Sequence, residues 1–410
     1  MKVLRLPTYC YPEAFSSSHL ENDRYNSYEK NGIELHVYAP IPSRGIDDAT
    51  RKQYAKYEEL NNGYIKIHRF PIFKEPKNTI LRAIRYLMIN HKQYRMALKV
   101  KDIDVIYGAS TPPTQGLYCA KLKKKLSKKY GKKVPFVYNL QDVFPDSLST
   151  TGIAKKGSFI YTIGNKMANK IYDAADVIIV IGNDMKANIM EKGVPEEKIE
   201  VVYNWIDTEA VTPIKKENNK LFDELNLNKD TFKVVYAGNL GKAQGLDTLL
   251  DSAEILKEKS NIEFIFFGRG AEEERLKKRA ENMPNVKFFP LMPMERVPEV
   301  YSLADACAVC CKKGTGGAGF PSKTWTIMGC GSPLLVSFDE GELYNTVNDN
   351  KLGIATPAED AKALSESILT LSKSPALADE MGSNARAYVE ANASKEICTQ
   401  KYIDVIKNTL

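Results

Sequence analysis

The sequence predicts an α/β protein built from two doubly wound, Rossmann-like parallel-sheet domains. Three observations support this fold class. Short apolar segments alternate with helical stretches along nearly the whole chain. The 410 residues exceed what one hydrophobic core usually serves, so two domains of about 200 residues each are expected. A polar segment rich in Lys, Asn and Glu interrupts the alternation near the middle of the chain.

Each predicted strand is a short apolar run bounded by polar or turn-forming residues. In the first half, the predicted strands cover residues 3–6, 33–38, 64–70, 105–107, 136–140, 177–181 and 199–203. In the second half, they cover residues 233–237, 262–267, 286–289, 306–310 and 334–337. Because strands that alternate with helices pair in parallel, each half should form a parallel sheet with helices on both faces.

The interruption sets the expected domain boundaries. Residues 1–207 should form an N-terminal domain, residues 208–230 a linker and residues 231–394 a C-terminal domain, with a last helix at about 395–410 joining the first domain. In such sheets, ligands bind beyond the carboxyl ends of the strands. Two domains that face a cleft in this way suit an enzyme that holds one substrate in each domain.

Composition indicates a compartment. No run approaches the roughly 18 to 20 apolar residues that span a bilayer, and the N-terminus predicts a first strand rather than a signal peptide. The seven cysteines form no disulfide-like framework, which suits a reducing environment. Cys307, Cys310 and Cys311 lie in an apolar run that predicts a buried strand rather than a zinc site. We therefore expect a cytoplasmic protein.

The net charge of +7 is unevenly placed. Eight lysines fall between Lys121 and Lys133. A second basic segment, residues 79–101, sets its cations on one broad side of a predicted helix: Arg82, Arg85, Lys92, Arg95 and Lys99, beside Ile80, Ile84, Leu87 and Met88. Either segment could be a solvated helix face or could attract an anionic membrane surface. Nucleic acid is not an expected partner, because no nucleic-acid-binding motif accompanies the charge.

A glycine-rich turn at residues 314–319 leads into an apolar helix that is predicted to begin at Pro321, Ser322 and Lys323. The first N–H groups of a helix have no partner within it, glycine lets a ligand approach the backbone, and Lys323 adds a positive charge. This segment therefore predicts a site for a phosphate or diphosphate.

Seven motifs in this order resemble those of the two-domain retaining glycosyltransferases of family 4, in particular the bacterial enzymes of surface-polysaccharide assembly. The motifs are Tyr11-Pro-Glu13, Asp142-Val-Phe-Pro-Asp-Ser147, Gly193-Val-Pro-Glu-Glu-Lys-Ile199, Tyr203-Asn-Trp-Ile-Asp207, Tyr236-Ala-Gly-Asn-Leu-Gly-Lys-Ala-Gln-Gly-Leu246, Phe267-Gly-Arg-Gly270 and Pro321-Ser-Lys323. The resemblance covers nearly the whole chain and implies the GT-B architecture of two such domains facing a cleft.

The resemblance implies that the C-terminal half binds a nucleotide-sugar donor, linked to UDP or GDP, and the N-terminal half an acceptor. Helix starts after Gly238 and before Pro321 are expected to meet one diphosphate, whose charge Lys242 and Lys323 neutralise. We expect Lys323 to be catalytic, because the departing diphosphate gains negative charge that its ammonium group can stabilise. The other expected donor-binding residues are Asn239, Gly241, Gln244, Gly268, Ser322 and Thr326.

The chain departs from the family pattern at four positions of its donor-binding half. Many members carry two glutamates eight positions apart, where this chain has Ala318 and Thr326. An arginine and a lysine after the first strand of the donor domain are replaced by Asn239 and Gln244.

One branch of the polysaccharide enzymes shares a small hydroxyl residue at the second glutamate position and has an acidic pair after the next strand. In this chain Asp339, Glu340 and Glu342 stand there. We expect Glu340, or else Glu342, to bind the ribose hydroxyls of the donor. The alternative is that these are ordinary surface acids.

On the acceptor side, Glu13, His19 and Asp142 follow predicted parallel strands and are candidate catalytic residues. Asp142 is the first choice for contact with the donor sugar or the incoming hydroxyl. His19 is a weaker candidate, because a histidine after the Ser-rich turn at residues 15–18 is more often an ordinary helix-start residue. The resemblance implies that the leaving phosphate itself helps to deprotonate the acceptor.

Asp102 and Asp104 match a metal-binding acidic pair of a different glycosyltransferase fold, but they lead straight into the strand at 105–107. We expect them to form a turn, and we expect no catalytic metal and no cofactor beyond the nucleotide-sugar co-substrate.

The predicted function is that of a retaining glycosyltransferase (EC 2.4), peripheral on the inner face of the plasma membrane. It is expected to extend a lipid-linked oligosaccharide acceptor in the biosynthesis of a surface polysaccharide, which could be a capsule, an exopolysaccharide or an O-antigen. Two alternatives stay open: a catalytically impaired scaffold in a polysaccharide assembly complex, and a nucleotide-sugar epimerase of the same fold. A dinucleotide-dependent oxidoreductase is disfavoured, because the loop after the first strand has no glycine before Gly32.

Overall fold

The computed structural model describes residues 1–13, 18–150, 154–259, 261–316 and 320–410, with backbone only for residues 18, 149 and 150. The chain divides into two compact units. Unit 1 comprises Met1–Tyr203 and Cys398–Leu410, and unit 2 comprises Asn204–Ile397. Each unit contains one sheet flanked by helices, and the fold is the two-sheet α/β architecture that the alternating sequence pattern predicts.

The sheet of unit 1 has eight strands in the order β3-β4-β2-β1-β5-β6-β7-β8. The strands are β1 (Lys2–Arg5), β2 (Glu34–Pro40), β3 (Glu58–Leu60), β4 (Ile65–Phe70), β5 (Val105–Ala109), β6 (Phe136–Leu140), β7 (Val177–Val180) and β8 (Ile199–Val201). All neighbours pair in parallel except the short edge strand β3, which runs antiparallel to β4. The order reverses between β1 and β5, where such sheets commonly bind ligands.

Helices connect these strands. They are α1 (Ser18–Lys30), α2 (Asp48–Gln53), α3 (Thr79–Ala97), α4 (Gln115–Tyr130), α5 (Asp146–Thr150), α6 (Phe159–Ala174) and α7 (Asn183–Glu191). The lysine-rich helix α4 packs between α3 and α6. Buried side chains of α3, α4 and α6, such as Ala97, Leu122 and Ile171, join strand residues in one hydrophobic cluster.

The sheet of unit 2 has six parallel strands in the order β11-β10-β9-β12-β13-β14. The strands are β9 (Phe232–Asn239), β10 (Ile262–Arg269), β11 (Val286–Phe289), β12 (Ala306–Cys310), β13 (Leu334–Phe338) and β14 (Gly353–Pro357). The helices of unit 2 are α8 (Leu221–Glu224), α9 (Asp247–Ile255), α10 (Glu273–Arg279), α11 (Val297–Ser302), α12 (Ser322–Gly329), α13 (Glu342–Asp349), α14 (Ala361–Lys373) and α15 (Pro375–Asn392). The last helix, α16 (Lys395–Asn408), belongs to unit 1 from Cys398 onward. The order reverses between β9 and β12.

The polar segment at residues 208–230 is packed rather than extended. It contains α8, whose Leu221 and Phe222 are buried in a cluster with Val235, Ile265 and Phe267 of the unit 2 sheet. The segment therefore contributes to the core of unit 2.

The last helix, α16, contributes to unit 1 through Tyr402. The Tyr402 hydroxyl donates to the side-chain oxygen of Asn139 on β6 at 3.1 Å, and the guanidinium of Arg24 lies over the Tyr402 ring at 5.3 Å. None of the described helices is both long enough and apolar enough to cross a bilayer.

Candidate active site

The point where the strand order of unit 2 reverses is formed by the loops after β9 and β12. These loops are joined by hydrogen bonds: the Lys312 N–H and the Thr315 hydroxyl both donate to the Ala243 carbonyl, at 2.9 and 3.3 Å. Gly245 has a left-handed φ of 57°, and a β-carbon there would meet the Cys311 backbone. The sequence motifs predict the diphosphate site on the same two loops.

Lys323, the second residue of α12, extends from the loop after β12 toward the end of β9. Its ammonium nitrogen lies 3.8 Å from the centroid of the Tyr236 ring. A β-carbon at Gly238 would lie only 2.9 Å from the same nitrogen, and the φ of Gly238 is 139°. Glycine at this position therefore provides the space that the ammonium group occupies.

Lys323 forms no ion pair with a carboxylate among the described residues. Burial lowers the pKa of its ammonium group to about 8, while Cys310 and Cys307 act in the opposite direction. A desolvated cation without a counter-ion is expensive in a folded protein. Such a group in a ligand-binding position is a functional-site candidate.

Helix α12 begins without a side-chain cap. Pro321 occupies the N-cap position, and its side chain, which has no acceptor, makes no capping hydrogen bond. On this helix Ser322 is exposed and Thr326 is half-buried. The Phe320 ring stacks on the Trp325 ring, with 4.6 Å between the ring centroids. The N–H groups at the start of α12 and the ammonium group of Lys323 are therefore candidate contacts for an anion, and the anion site stays a prediction from the Pro-Ser-Lys motif.

The loop after β9 differs from the expected helix start. A single 3-10 turn, Lys242–Gln244, follows Gly241, and α9 begins only at Asp247. The Asn239 side chain donates to Gln244 at 3.3 Å, and a β-carbon at Gly241 would clash with both side chains. Lys242 is exposed and has no carboxylate partner among the residues described, so it remains a candidate contact for a diphosphate.

Gly268 and Arg269 end β10, the strand beside β9. A β-carbon at Gly268 would clash with the Gly238 carbonyl, so this glycine serves the close approach of the two strands. Arg269 is exposed and is the cross-strand partner of Asn239. Sequence reasoning missed this cation, because only the strand register shows that an arginine stands opposite the position where the family has one.

Asp339, which follows β13, holds the glycine-rich turn. Its carboxylate accepts hydrogen bonds from the N–H of Gly314 at 2.8 and 3.0 Å and from the N–H of Gly316 at 2.9 Å. A β-carbon at Gly316 would lie 2.8 Å from the Phe338 ring and 3.1 Å from Asp339. Asp339 is thus a positioning residue for the turn that leads to α12. Ala318 lies outside the described residues.

The two acids expected near the ribose occupy different positions. Glu340 is exposed, and no hydrogen bond or ion pair of its carboxylate is found within the described part of the chain. Glu342 is the first residue of α13 and is half-buried. Glu340 is therefore the acid that could reach a ligand without breaking an existing contact.

Glu13 of unit 1 is buried, with 1% of its surface exposed. One carboxylate oxygen accepts from the N–H groups of Ser43 at 2.7 Å and Arg44 at 2.9 Å, and the other accepts from the Cys10 N–H at 3.2 Å. These contacts join the loop after β1 to the loop after β2. They favour a structural role for Glu13 instead of contact with a substrate.

Asp142 follows β6, and its side chain reaches solvent. Desolvation by the surrounding protein raises the pKa of its carboxyl above 3.8. The second acid of the same motif, Asp146, is engaged by Tyr161 at 2.5 Å and by Lys192 at 3.0 Å, and these contacts lower its pKa. Asp142 is thus the acid of this motif that could meet a substrate, and Asp146 fixes the loop.

His19 lies exposed in the first turn of α1. Desolvation lowers the pKa of its imidazole, the Asp23 carboxylate opposes that shift, and Arg24 adds to it. The ring is therefore expected to be neutral at pH 7 and able to accept a proton. The adjoining residues 15–17 lie outside the described residues.

The basic segments of unit 1 are only partly free. Arg85, expected on the solvated side of its helix, is instead buried and donates to the Phe73 carbonyl and the Ser43 hydroxyl at 3.0 and 2.9 Å. The following lysines of the 121–133 cluster contact carboxylates or carbonyls: Lys123, Lys129, Lys132 and Lys133. Exposed lysines without a carboxylate partner among the described residues are Lys121, Lys124, Lys125 and Lys128.

Asp104 lies at the turn before β5, where its carboxylate accepts from the Lys2 N–H at 2.9 Å and pairs with Lys132 at 2.7 Å. Asp102 has a left-handed φ of 58° at the same turn. In the described ranges, no three His, Cys, Asp or Glu side chains are grouped so that they could hold a metal ion.

Two family patterns match adjacent parts of the chain. "Glycosyltransferase Family 4" matches residues 25–210, and "Glycosyl transferases group 1" matches residues 217–388. Among curated proteins, a probable glycosyltransferase, WbjE of Pseudomonas aeruginosa, is 26% identical over 280 residues, which cover 67% of this chain and 68% of WbjE. The putative colanic acid biosynthesis glycosyl transferase WcaI of Escherichia coli is 25% identical over 296 residues, covering 71% of this chain and 72% of WcaI.

The fold is also similar to solved structures. Anabaena HepE, crystallised in complex with UDP, superposes with a TM-score of 0.72 at 18% identity, and the match covers 100% of both chains. At this level of identity the likeness concerns the fold.

Proposed function

This chain belongs to the group 1, family 4 glycosyltransferases of GT-B architecture, and on that premise we propose that it extends a lipid-linked glycan in surface-polysaccharide biosynthesis. Membership of the family establishes the general reaction, which is sugar transfer from a nucleotide-sugar donor with retention at the anomeric carbon. The acceptor, the residues that act and the attachment to a membrane are our proposals.

The observation that carries the proposed donor site is the ammonium group of Lys323, which pairs with no carboxylate in the described parts of the chain. It lies beside Gly238, where the strand order of unit 2 reverses, and at the uncapped start of α12. A nucleoside diphosphate supplies the negative charge that this position lacks, so binding would compensate the cost of desolvating Lys323. Lys242 on the neighbouring loop is proposed to contact the same diphosphate.

The proposed reaction breaks the bond between the anomeric carbon and the diphosphate oxygen and forms a bond from that carbon to an acceptor hydroxyl. The hydroxyl proton moves to the departing diphosphate oxygen, so no strong protein base is required. Negative charge on the diphosphate grows in the transition state, and Lys323 stabilises that state more than the bound donor. Asp142 is proposed to orient the transferring sugar or the incoming hydroxyl.

The remaining donor contacts are proposed from position. Glu340 is exposed after β13 and is proposed to bind the ribose hydroxyls, while Asp339 holds the glycine-rich turn in place. Asn239, Gln244, Ser322 and Thr326 would line the site with neutral donors and acceptors. These contacts would compensate for the absence of the two glutamates that are usual in the family.

The acceptor class is proposed from two lines of support. The relative WcaI carries a name that assigns it to colanic acid biosynthesis. The exposed lysines Lys121, Lys124, Lys125 and Lys128 provide charge for an anionic membrane, where a lipid-linked acceptor would reside. A peripheral location on the inner face of the plasma membrane is therefore part of the proposal.

A donor array tests the proposed function. The purified chain is incubated with UDP- and GDP-linked sugars, with lipid extracts as the acceptor source, and release of UDP or GDP is followed. We expect one nucleotide-sugar class to be consumed at a rate that Lys323→Ala lowers by roughly two orders of magnitude. If no nucleotide sugar is consumed and none raises the melting temperature, the chain is instead the non-catalytic scaffold.

A further inference from the structure

Two apolar ridges are exposed on unit 1. The ridge on α3 consists of five side chains at helical spacing, and the ridge on the first turn of α6 consists of three. The members are Ile80, Leu81, Ile84, Leu87 and Met88 on α3, between 41% and 71% exposed, and Phe159, Ile160 and Ile163 on α6, between 50% and 80% exposed. Soluble proteins seldom expose apolar side chains in contiguous groups, and such groups mark interaction surfaces.

Both ridges begin at the same edge of the unit 1 sheet. Helix α3 follows β4 and helix α6 follows β6, and both strands run parallel to the rest of the sheet. The first turns of both helices therefore lie near the carboxyl ends of the strands. That is also the edge from which Asp142 extends after β6.

Helices α3, α4 and α6 pack side by side, and their own sequences contain many cations and almost no acids. Helices α3, α4 and α6 contain four, six and two lysines or arginines, and the only carboxylate in their sequences belongs to Asp173. Lys155 and Lys156, just before α6, are also exposed. An apolar ridge bordered by cations is the chemistry of a surface that enters the interface of an anionic bilayer.

We propose that the ridges of α3 and α6 insert their side chains into the interface of an anionic membrane, with the lysines of α4 lying against the lipid headgroups. This inference rests on the proposed lipid-linked acceptor and extends it, because it assigns the contact to inserted apolar side chains and not to charge alone. It also orients unit 1 with the exposed sides of α3, α4 and α6 toward the lipid.

A second copy of the chain is a poorer occupant of the same surface. Symmetric pairing would bring the lysines of two α4 helices toward each other, and like charges across an interface oppose association. An anionic bilayer satisfies the apolar side chains and the cations together.

The buried sides of the same helices hold the loops of the candidate acceptor site. On α3, Arg85 donates to the Ser43 hydroxyl at 2.9 Å, and the Ser43 N–H donates to Glu13 at 2.7 Å. On α6, the Tyr161 hydroxyl donates to Asp146 at 2.5 Å in the loop that begins with Asp142. A membrane that fixes α3 and α6 would therefore fix the loops that meet its lipid-linked substrate.

Vesicle sedimentation tests the insertion. The full chain is mixed with vesicles of phosphatidylcholine alone or of phosphatidylcholine with phosphatidylglycerol. The quadruple variant carries Ile84→Gln, Leu87→Gln, Ile160→Gln and Ile163→Gln, and Ile255→Gln is the matched control on the exposed end of α9 in unit 2. We expect the quadruple variant to lose affinity for the anionic vesicles by about tenfold or more, and the control to match the wild type.

Tryptophan fluorescence is a second readout, which reports how deeply the ridge on α6 enters the bilayer. The wild-type tryptophans, Trp205 and Trp325, are both buried. With Ile160→Trp, we expect a blue-shifted emission and quenching by lipids brominated on their acyl chains. The proposal is overturned if the quadruple variant binds anionic vesicles as the wild type does, or if Ile160→Trp is not quenched. It is also overturned if the wild type is a dimer that the quadruple variant dissociates while vesicle binding persists.

The lysines separate insertion from charge alone. Lys124→Gln with Lys125→Gln and Lys128→Gln should weaken binding and make it less sensitive to salt, while quenching of bound Ile160→Trp persists. Donor turnover without vesicles should be unaffected in the apolar variants. A protein that turns over no donor but still inserts contradicts the proposed function, whereas one that turns over donor without inserting contradicts only the present inference.

Discussion

The ammonium nitrogen of Lys323 lies 3.8 Å from the centroid of the Tyr236 ring, with no carboxylate partner among the described residues. An aromatic face attracts a cation, but it does not neutralise the charge as a carboxylate would. Lys323 therefore keeps a positive charge that a ligand can use, at the position where the strands of unit 2 reverse their order. The predictions below follow from this arrangement and from the loops around it.

Lys323→Ala should lower kcat by roughly two orders of magnitude, because the departing diphosphate loses the cation that stabilises its charge. Release of UDP or GDP in single- and multiple-turnover assays measures the effect. Lys278→Ala, at an exposed lysine of α10 in the same unit, is the matched control and should leave kcat unchanged. Wild-type kinetics in the Lys323 variant would rule out the proposed diphosphate site.

Lys323→Met should stabilise the fold at pH 7 even though it lowers activity as Lys323→Ala does. Burial lowers the pKa of Lys323 from 10.5 to about 8. Below pH 8 the group is charged in both the folded and the unfolded chain, and the folded protein bears a desolvation cost of up to about 3 kcal/mol, at about 1.4 kcal/mol for each unit of pKa.

Between pH 8 and pH 10.5 the folded wild type releases this proton before the unfolded chain does, so its stability rises relative to the methionine variant. The advantage of the variant should therefore shrink across that window. Urea unfolding at several pH values measures it. A variant that is less stable at pH 7 would show that Lys323 has a stabilising partner.

Asp339→Ala should raise the KM for the donor about tenfold or more, because the N–H groups of Gly314 and Gly316 lose their shared acceptor and the turn before α12 loses its order. Asp339→Asn retains an oxygen that can accept and should lie between the alanine variant and the wild type. Donor titrations at fixed acceptor separate KM from kcat. Equal kinetics for all three proteins would remove Asp339 from the site.

Glu340→Ala should weaken donor binding several-fold while it leaves kcat nearly unchanged, because hydrogen bonds to a ribose are the same in the bound donor and in the transition state. Isothermal titration with UDP or GDP, compared with the free diphosphate, measures the loss. The variant should bind UDP or GDP more weakly than the wild type does, and it should bind the free diphosphate equally well. Glu366→Ala, at an exposed acid of α14, is the control.

Asp142→Asn should lower kcat by about two orders of magnitude if the ionised carboxylate meets the sugar or the incoming hydroxyl. Desolvation raises the pKa of Asp142. As the pH decreases, wild-type activity should therefore begin to fall at a higher pH than it would with an ordinary aspartate in this position. The asparagine variant should lack this acid limb. Asp173→Asn, at an exposed acid of α6, should behave as the wild type, and an acid limb that survives in Asp142→Asn would assign the titration to another group.

The alternating pattern predicted most of the fold, and the exceptions have physical reasons. Strand β3, Glu58–Leu60, is three residues long and mostly polar, so that it gives no apolar run. Strand β14, Gly353–Pro357, lies at the edge of its sheet and begins with glycine and ends with proline, which weaken the signal of a strand. Edge positions tolerate such residues because one side of the strand has no neighbour to pair with.

The candidate site was less predictable, because side-chain partners come from distant parts of the chain. Lys323 could be singled out from the Pro-Ser-Lys motif. The contacts of Glu13 could not, because its donors Ser43 and Arg44 lie 30 and 31 residues away. Arg85 follows the periodicity of a basic face, yet its partner Ser43 lies 42 residues away and draws it into the interior.

A crystal structure of the protein with saturating UDP or GDP tests the proposed donor site most directly. We expect diphosphate oxygens within hydrogen-bonding distance of the Lys323 ammonium group and of the first N–H groups of α12. A nucleotide whose diphosphate lies away from Lys323, or a site that stays empty at saturation, would contradict it.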